Sequence, residues 1–424
     1  VDAKGFDVSL NNADNDFGSV GAIGNAVSIT DKNAVALDAI NATSLTVKAG
    51  GAVTQNAAAT VSGATSVDAK GFDVSLDAKG NDLNTVSANA NNLSIADGKG
   101  GVVLDQITAT GNTSVSSLGG AITQTEAGVI SASNGTTTLS ASVEGIAANV
   151  TLANAGNDFK SVGVTGNAVS ITDKTGVALD AITANSLTVK TGGAVTQNAA
   201  ATVKGATSID ATGFNVSLNN AANDFTVVNA KAKDLVITDA MNGVILGNIS
   251  ATGNASVTST GGHILQGDDG EALAVSGTTT LTATNGDAAA AVTLNGNNNT
   301  LGGLVTASGS AVTLKAKEAL SAALTATEAT LTAGGNLAVS GKVTKGLTTT
   351  TTGENSTTTF GSTDVGADLT VTSTGKVAQV ENTMLVVGGK TSINAGAQDV
   401  ALNNAGNAFN SVAVTGGAVS LTDK

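Results

Sequence analysis

Apolar residues along the chain come in three-residue pieces of the form apolar-x-apolar, such as Val35-Ala-Leu37 and Leu45-Thr-Val47, separated by Gly, Asn, Asp, Ala and Ser. A period of two is the strand signal and puts both apolar residues of a triplet on one face. The small and polar residues between triplets are turn formers. The pattern therefore predicts short strands joined by turns nearly throughout. Residues 316–331 (AKEALSAALTATEATL) fit less well, because Leu320, Leu324 and Leu331 are spaced as on a helix. Their threonine content and the neighbouring strands favour continued strand even there.

The triplets repeat at long range. Residues 8–73 reappear at 150–215, an offset of 142, with 51 of 66 positions identical, and the string GNAVSITDK stands at both 24–32 and 166–174. Residues 74–149 match 216–291 more loosely, through Leu83/Phe225, Leu93/Leu235, Val115/Val257, Ile122/Ile264 and Leu139/Leu281. Each 142-residue unit is two related halves, opened by a V-x-L triplet at Val8, Val74, Val150, Val216, Val292 and Val400. The halves are 8–73, 74–149, 150–215, 216–291, 292–399 and a truncated 400–424; the 108-residue half exceeds a 66-residue one by 42, enough for a two-coil insertion.

Nine residues after each start lies Phe17, Leu83, Phe159, Phe225, Leu301 or Phe409. Nineteen or twenty residues after each start comes a second strand, at Val27, Leu93, Val169, Leu235, Val312 and Val419. That spacing predicts one coil of roughly 20 residues, and a fixed period decides the architecture. The expected fold is all-β, a parallel β-helix (solenoid) running through 1–424 as one continuous shaft, each coil hydrogen-bonded only to its neighbours. About 21 coils at about 4.8 Å per strand pair would give a rod on the order of 100 Å long. VDAKGFDV opens the chain and recurs at 67–74, and LTDK closes it just after a half begins, so both ends are expected to fall within repeats and the native molecule to continue beyond them.

Composition narrows the chemistry. The 424 residues include no Cys, Pro, Trp, Tyr or Arg, so all 19 basic residues are Lys, and His263 is the single histidine. Thiol nucleophiles, disulfides, Cys-based metal sites and histidine clusters are excluded within this chain. The 33 acidic residues give a net charge of −14 and are spread along the chain, as suits solubility. Nucleic acid is not an expected partner: its recognition uses a basic stripe and stacking aromatics, and eight Phe are the only aromatic residues. No apolar run is long enough for a membrane-spanning helix, and no signal peptide is visible at Val1.

Four features invite a chemical reading. Asn15-Asp16, Asn81-Asp82, Asn157-Asp158 and Asn223-Asp224 stand before the ninth-position residue, with Asn407-Ala408 departing from the pattern. Calcium is the sharp reading of these oxygens, but one carboxylate per turn is a poor ligand set; a turn whose side chains satisfy local backbone groups is favoured. Gly50-Gly51-Ala52-Val53-Thr54-Gln55 recurs at 119–124, 192–197 and 261–266. A glycine loop that cradles phosphate is followed by a helix, and here a strand follows, so a tight corner is expected and no cofactor. His263, where the other copies have Ala, reads as a drifted surface position. Asp268, Asp269 and Glu271 form the one local acidic cluster not shared by the copies and are the best candidates for carboxylate catalysis or a metal, though QGDDGE also reads as a solvated loop. The Thr-rich tract 347–360 reads as a glycosylated bulge or as plain strands.

The recurring string NDF-x-x-V…AVSITD…VALDAI…SLTV…GGAVTQ resembles the repeat regions of filamentous-haemagglutinin-like proteins exported by two-partner secretion in Gram-negative bacteria. The resemblance implies a right-handed parallel β-helix on the outer surface of such a bacterium, serving as an adhesin, toxin stalk or secreted fibre. It carries over no functional residue. The function expected is a structural shaft of an extracellular fibre or adhesin, not an enzyme. Its expected partners are flanking repeats, laterally associated copies, and a host, neighbouring-cell or matrix surface. The rival reading is a β-helical polysaccharide-active or polysaccharide-binding protein.

Overall fold

A computed structural model describes residues 1–268 and 270–424. It is all-β, with no helix among the described residues, and forms a parallel β-solenoid of about 21 turns whose strands pair about 20 residues apart. The coil partners expected from spacing are in register in every case: Val8 with Val27, Val74 with Leu93, Val150 with Val169, Val216 with Leu235, Val292 with Val312, and Val400 with Val419. The segment with helical spacing belongs to the strand Leu320–Ala333, paired in parallel with Leu304–Ala316. Its β-branched threonines and the ready-made ladder on either side outweigh the leucine spacing.

The strands are longer than the triplets suggest. Val35–Ala49 is one 15-residue strand whose inward positions are 35, 37, 40, 42, 45 and 47. Within a side they step by two; at a corner they step by three. Two successive outward residues thus turn the chain without breaking the ladder, and the inward face is preserved around the coil.

The chain divides into two compact units, residues 1–205 and 206–424. In the first, one ladder runs Val8, Val27, Leu45, Thr65, Val86, Leu104. A second runs Val35, Val53, Val74, Leu93, Thr113, Thr137. The third side moves. It lies between the second ladder and the first at Ile40/Ala59 and Ala42/Val61/Leu83, but between the first and the second at Ile107/Ile130 and Ala132/Phe159.

This explains why the repeat has two halves. Three turns carry the first ladder from Val8 to Thr65, and Val74 lies half a turn further, on the second ladder. Three more turns carry the second ladder from Val74 to Thr137, and Val150 returns to the first, against Ile122. A half is three and a half turns, so only the 142-residue unit restores the face. The longer halves accommodate their extra residues partly in an antiparallel hairpin: Val143 pairs with Ile146 across Glu144 (φ 50°) and Gly145 (φ 80°). Such a left-handed two-residue turn suits a tight hairpin.

In the second unit one ladder takes Val216, Leu235, Ala255, Thr279 and Val305. The other takes Val292, Val312, Ala329, Leu347, Leu369 and Thr391. From Val292 that ladder makes five turns before Val400 appears on the opposite one, paired to Val377. A second hairpin, Asn285 with Ala288, stands where Val143/Ile146 stands in the first unit. The core of both units is Val, Leu, Ile and Ala, with Phe159, Phe225 and Phe360 wholly buried.

Candidate functional site

The residues that recur most faithfully point inward. Asn81, Asn157, Asn299 and Asn407 are each 0% exposed, an expensive position for an amide unless every polar atom is bonded. Each pairs reciprocally with a glutamine from an earlier coil. Gln55 Nε2 donates to Asn81 Oδ1 at 3.0 Å while Asn81 Nδ2 donates to Gln55 Oε1 at 2.9 Å. Asn81 Oδ1 also accepts from the Ala59 amide at 2.8 Å, and Nδ2 also donates to the Leu76 and Ala96 carbonyls at 3.1 and 3.0 Å. One side chain thus ties its own turn to the coils before and after it. The same reciprocal pair joins Gln124 with Asn157, Gln266 with Asn299, and Gln379 with Asn407.

The asparagine turn is as expected; its glutamine partner is not. The glutamine ends the GGAVTQ string, which the sequence presents as a corner, and the pairing spans 26 to 33 residues. A signal was present: Gln and Asn both persist where the neighbouring Asp is lost, at Asn299-Thr300 and Asn407-Ala408. The bonding also bears on the calcium reading, since Asn81 Oδ1 already accepts two N–H groups. The glycines before the glutamine permit close stacking of corners: a Cβ on Gly50 would lie 2.1 Å from the Lys32 carbonyl oxygen, and one on Gly192 would lie 2.2 Å from that of Lys174.

Sixteen residues beyond the asparagine, a carboxylate completes the turn. The amides of Phe17, Leu83, Phe159 and Phe225 donate to Asp31, Asp97, Asp173 and Asp239 at 2.6–2.8 Å. Asp31 and Asp173 use their second oxygen to accept from the Asn33 and Thr175 amides. Asp97 and Asp239 bury Oδ2 without a partner. Burial pushes both carboxyls up to about 6, against the pull of the Leu83 and Phe225 amides, and the like charges of Asp82 and Asp224 add to the rise. In the alternate halves a lysine follows the aspartate, and Asp16–Lys32 and Asp158–Lys174 form ion pairs at 3.0 Å. Hydrogen bonding from Lys32 holds Asp16 below its ordinary value. Gly98 and Ala240 occupy the lysine's place beside Asp97 and Asp239.

Asp268, one of the sequence candidates, is exposed, and Asp269 lies outside the described residues. The Glu271 amide donates to the Asp268 carbonyl, closing a turn, and the Glu271 carbonyl accepts from Gln266, so this loop forms one edge of a glutamine–asparagine pair. Among the described residues, no ion pair joins Asp268 or Glu271 to a lysine, and no three His, Cys, Asp or Glu side chains converge as metal ligands would. His263 is exposed; its Nδ1 accepts from the Ala291 amide at 2.9 Å, and it lines a cavity of about 160 Å³ with Asp224, Ile245 and Leu265. The Thr-rich tract forms the strands Leu347–Thr351 and Thr358–Val365. Its buried Thr351, Thr358 and Ser373 share a hydroxyl network around the Ser356 carbonyl, which binds these coils together through hydroxyls rather than through a buried amide pair.

Fold and inter-coil bonding together define a repeat β-solenoid protein. Residues 24–89, 90–165, 166–231, 232–308 and 346–422 match the family described as Repeats of unknown function (DUF5649), and since these stretches take in well over half of the chain, it belongs to that family. The family's unit corresponds to one half of the 142-residue repeat, and residues 309–345 fall between matches. No curated protein and no solved structure matches the chain.

Proposed function

We propose that this repeat region is a structural element of an extracellular bacterial surface fibre or adhesin, that it is not an enzyme, and that what the fibre attaches to is engaged by other parts of the full protein or by its walls. The observation that carries this reading is the placement of its most repeated polar residues. Gln55/Asn81 and the pairs Gln124/Asn157, Gln266/Asn299 and Gln379/Asn407 direct their hydrogen bonds to neighbouring coils, which is what a stack of coils requires along its length. A catalytic constellation is needed once and faces a substrate. Nearest-neighbour coil contacts also let length change by whole units without disturbing the fold.

Deleting residues 74–215, one 142-residue unit, from the protein in its native cell tests the proposal. A protease-sensitive surface fibre shorter by about seven strand spacings, or about 34 Å, with the remaining coils intact, is the expected result. Retention of the protein inside the cell, or turnover of a polysaccharide substrate that depends on Asp268 or Glu271, would replace this reading with the enzymatic one.

A further inference from the structure

One wall of the second unit carries a surface that the inter-coil bonding does not use. Thr293, Thr313, Thr330, Thr348 and Thr370 are in-register partners from coil to coil, followed by Ser392. Two residues further along the same strands, Thr332, Thr350 and Thr372 form a second line, bounded by Lys315 and Asn394. Three successive strands therefore present Thr-x-Thr: 330/332, 348/350 and 370/372. All six point outward, because the residues that alternate with them, Leu331, Leu347 and Leu369 among them, are buried. No register shift interrupts these pairings, and no charged side chain enters the block of six. Among the described residues, no hydrogen bond within the chain occupies these hydroxyls.

The array is not a by-product of the repeat. The corresponding outward pairs in the first unit are Ser28/Thr30, Thr46/Lys48, Ser66/Asp68 and Ser87/Asn89, which break any plane of threonines with charge and amide groups. Thr330 and Thr332 lie between the family matches, and Thr348, Thr350, Thr370 and Thr372 lie at the start of the match at 346–422. Threonine suits a fixed array, since β-branching restricts χ1 and holds methyl and hydroxyl in set positions. Strand spacing sets the lattice: about 4.8 Å from coil to coil and about 6.7 Å between the two threonines of each strand.

A ligand that reads two periods at once on an uncharged plane is itself a lattice. A small solute spans one or two of these groups, and a flexible polymer follows one direction. The prism face of hexagonal ice repeats its water oxygens at spacings close to both periods, so the threonine hydroxyls can stand in for lattice waters while the methyls occupy the hollows between them. The lack of charge within the block matters here, because an ion orders water in a shell that does not fit the crystal. We propose that the Thr330–Thr372 face binds ice.

Ice-affinity partitioning of the whole chain, with ice recrystallisation followed in parallel, tests this. The wild-type chain should enter growing ice and slow grain coarsening. Thr348→Lys, which puts a charge at the centre of the plane, should be rejected into the liquid, while Thr54→Lys on a wall of the first unit should behave as wild type. Circular dichroism melts establish that the variants are folded; should T348K fail to fold, Thr348→Ser/Thr370→Ser removes two methyls with no added bulk and should enrich less in ice than wild type. Exclusion of the wild-type chain from ice, equal enrichment of a folded T348K or of the double serine variant, or retention on crystalline cellulose with no effect on ice would each overturn the proposal.

Discussion

Gln124 and Asn157, 33 residues apart, make the same reciprocal amide pair as Gln55 and Asn81, which are 26 apart. Much of the difference lies in the hairpin at 142–147, which leaves the wall and returns without altering the bond. The pairing therefore depends on stacking between coils, and chain length between its partners is free to vary.

Removing the asparagine should then be felt locally. Asn157→Ala leaves the buried Ile130 N–H without its partner, takes the side-chain donor from the Leu152 and Thr172 carbonyls, and strips the Gln124 amide to its bonds with the Gly128 carbonyl and the Asn154 N–H. Unpaired buried polar groups cost about 1–3 kcal/mol each, so a loss of about 2–4 kcal/mol is expected. In a solenoid it should appear as lost hydrogen-exchange protection in the coils near 124–172, with distant coils unchanged. Protection lost evenly along the chain would show that the pair does not act coil by coil.

The alternate aspartates make stability depend on pH. Asp97 and Asp239 have an ordinary carboxyl value of 3.8 and stand at about 6 in the folded chain. Their folded-state value is raised, so their contribution is most favourable below pH 3.8 and is lost as pH rises towards 6. Allowing for screening by solvent near the corner, the loss is about 1–2 kcal/mol per group. Asp97→Asn/Asp239→Asn should be at least as stable as wild type at pH 7 and should flatten the change between pH 4 and 6. A double variant that melts lower than wild type at pH 7 would show that the carboxylates are not a burden there.

The coil was legible because it depends on local alternation and on a period repeated many times. Val8 and Val27 announce their pairing by spacing alone. The half-turn offset between Val8 and Val74 was not legible, since identical triplets on opposite ladders look alike along a string. Gln55 and Asn81 likewise belong to separate motifs, and only the stacking of coils brings them together. Among the candidate residues, the sequence located the loop at Asp268 but not its part in framing the Gln266–Asn299 pair, which depends on backbone carbonyls rather than on residue type.

Glycines at the corners are not equivalent, and alanine should separate them. At Gly50 the added Cβ would collide with the Lys32 carbonyl at 2.1 Å, a backbone contact that cannot swing aside. A cost of about 1–3 kcal/mol is expected from such overpacking. Gly18 meets nothing within 4 Å, and Lys160 already fills the equivalent place in the next unit. Gly18→Ala should be neutral or stabilise by up to about 1 kcal/mol through the unfolded chain. Equal denaturation midpoints for the two variants would contradict the close corner stacking.

Thr137 occupies a ladder position where Val53, Val74 and Val162 serve elsewhere, is 1% exposed, and has an Oγ1 with no partner. Thr113, its neighbour one coil away, is in the same condition. A hydroxyl buried without a bond costs about 1–3 kcal/mol, whereas the β-branched shape is what the ladder needs. Thr137→Val keeps the shape and removes the burden, so the urea midpoint should rise by an amount worth about 1 kcal/mol with an unchanged slope. Thr113→Val should add to it, less than fully, because the two side chains touch the same layer. A fall in midpoint for either variant would mean that the hydroxyls are bonded in solution and that this part of the core is polar by design.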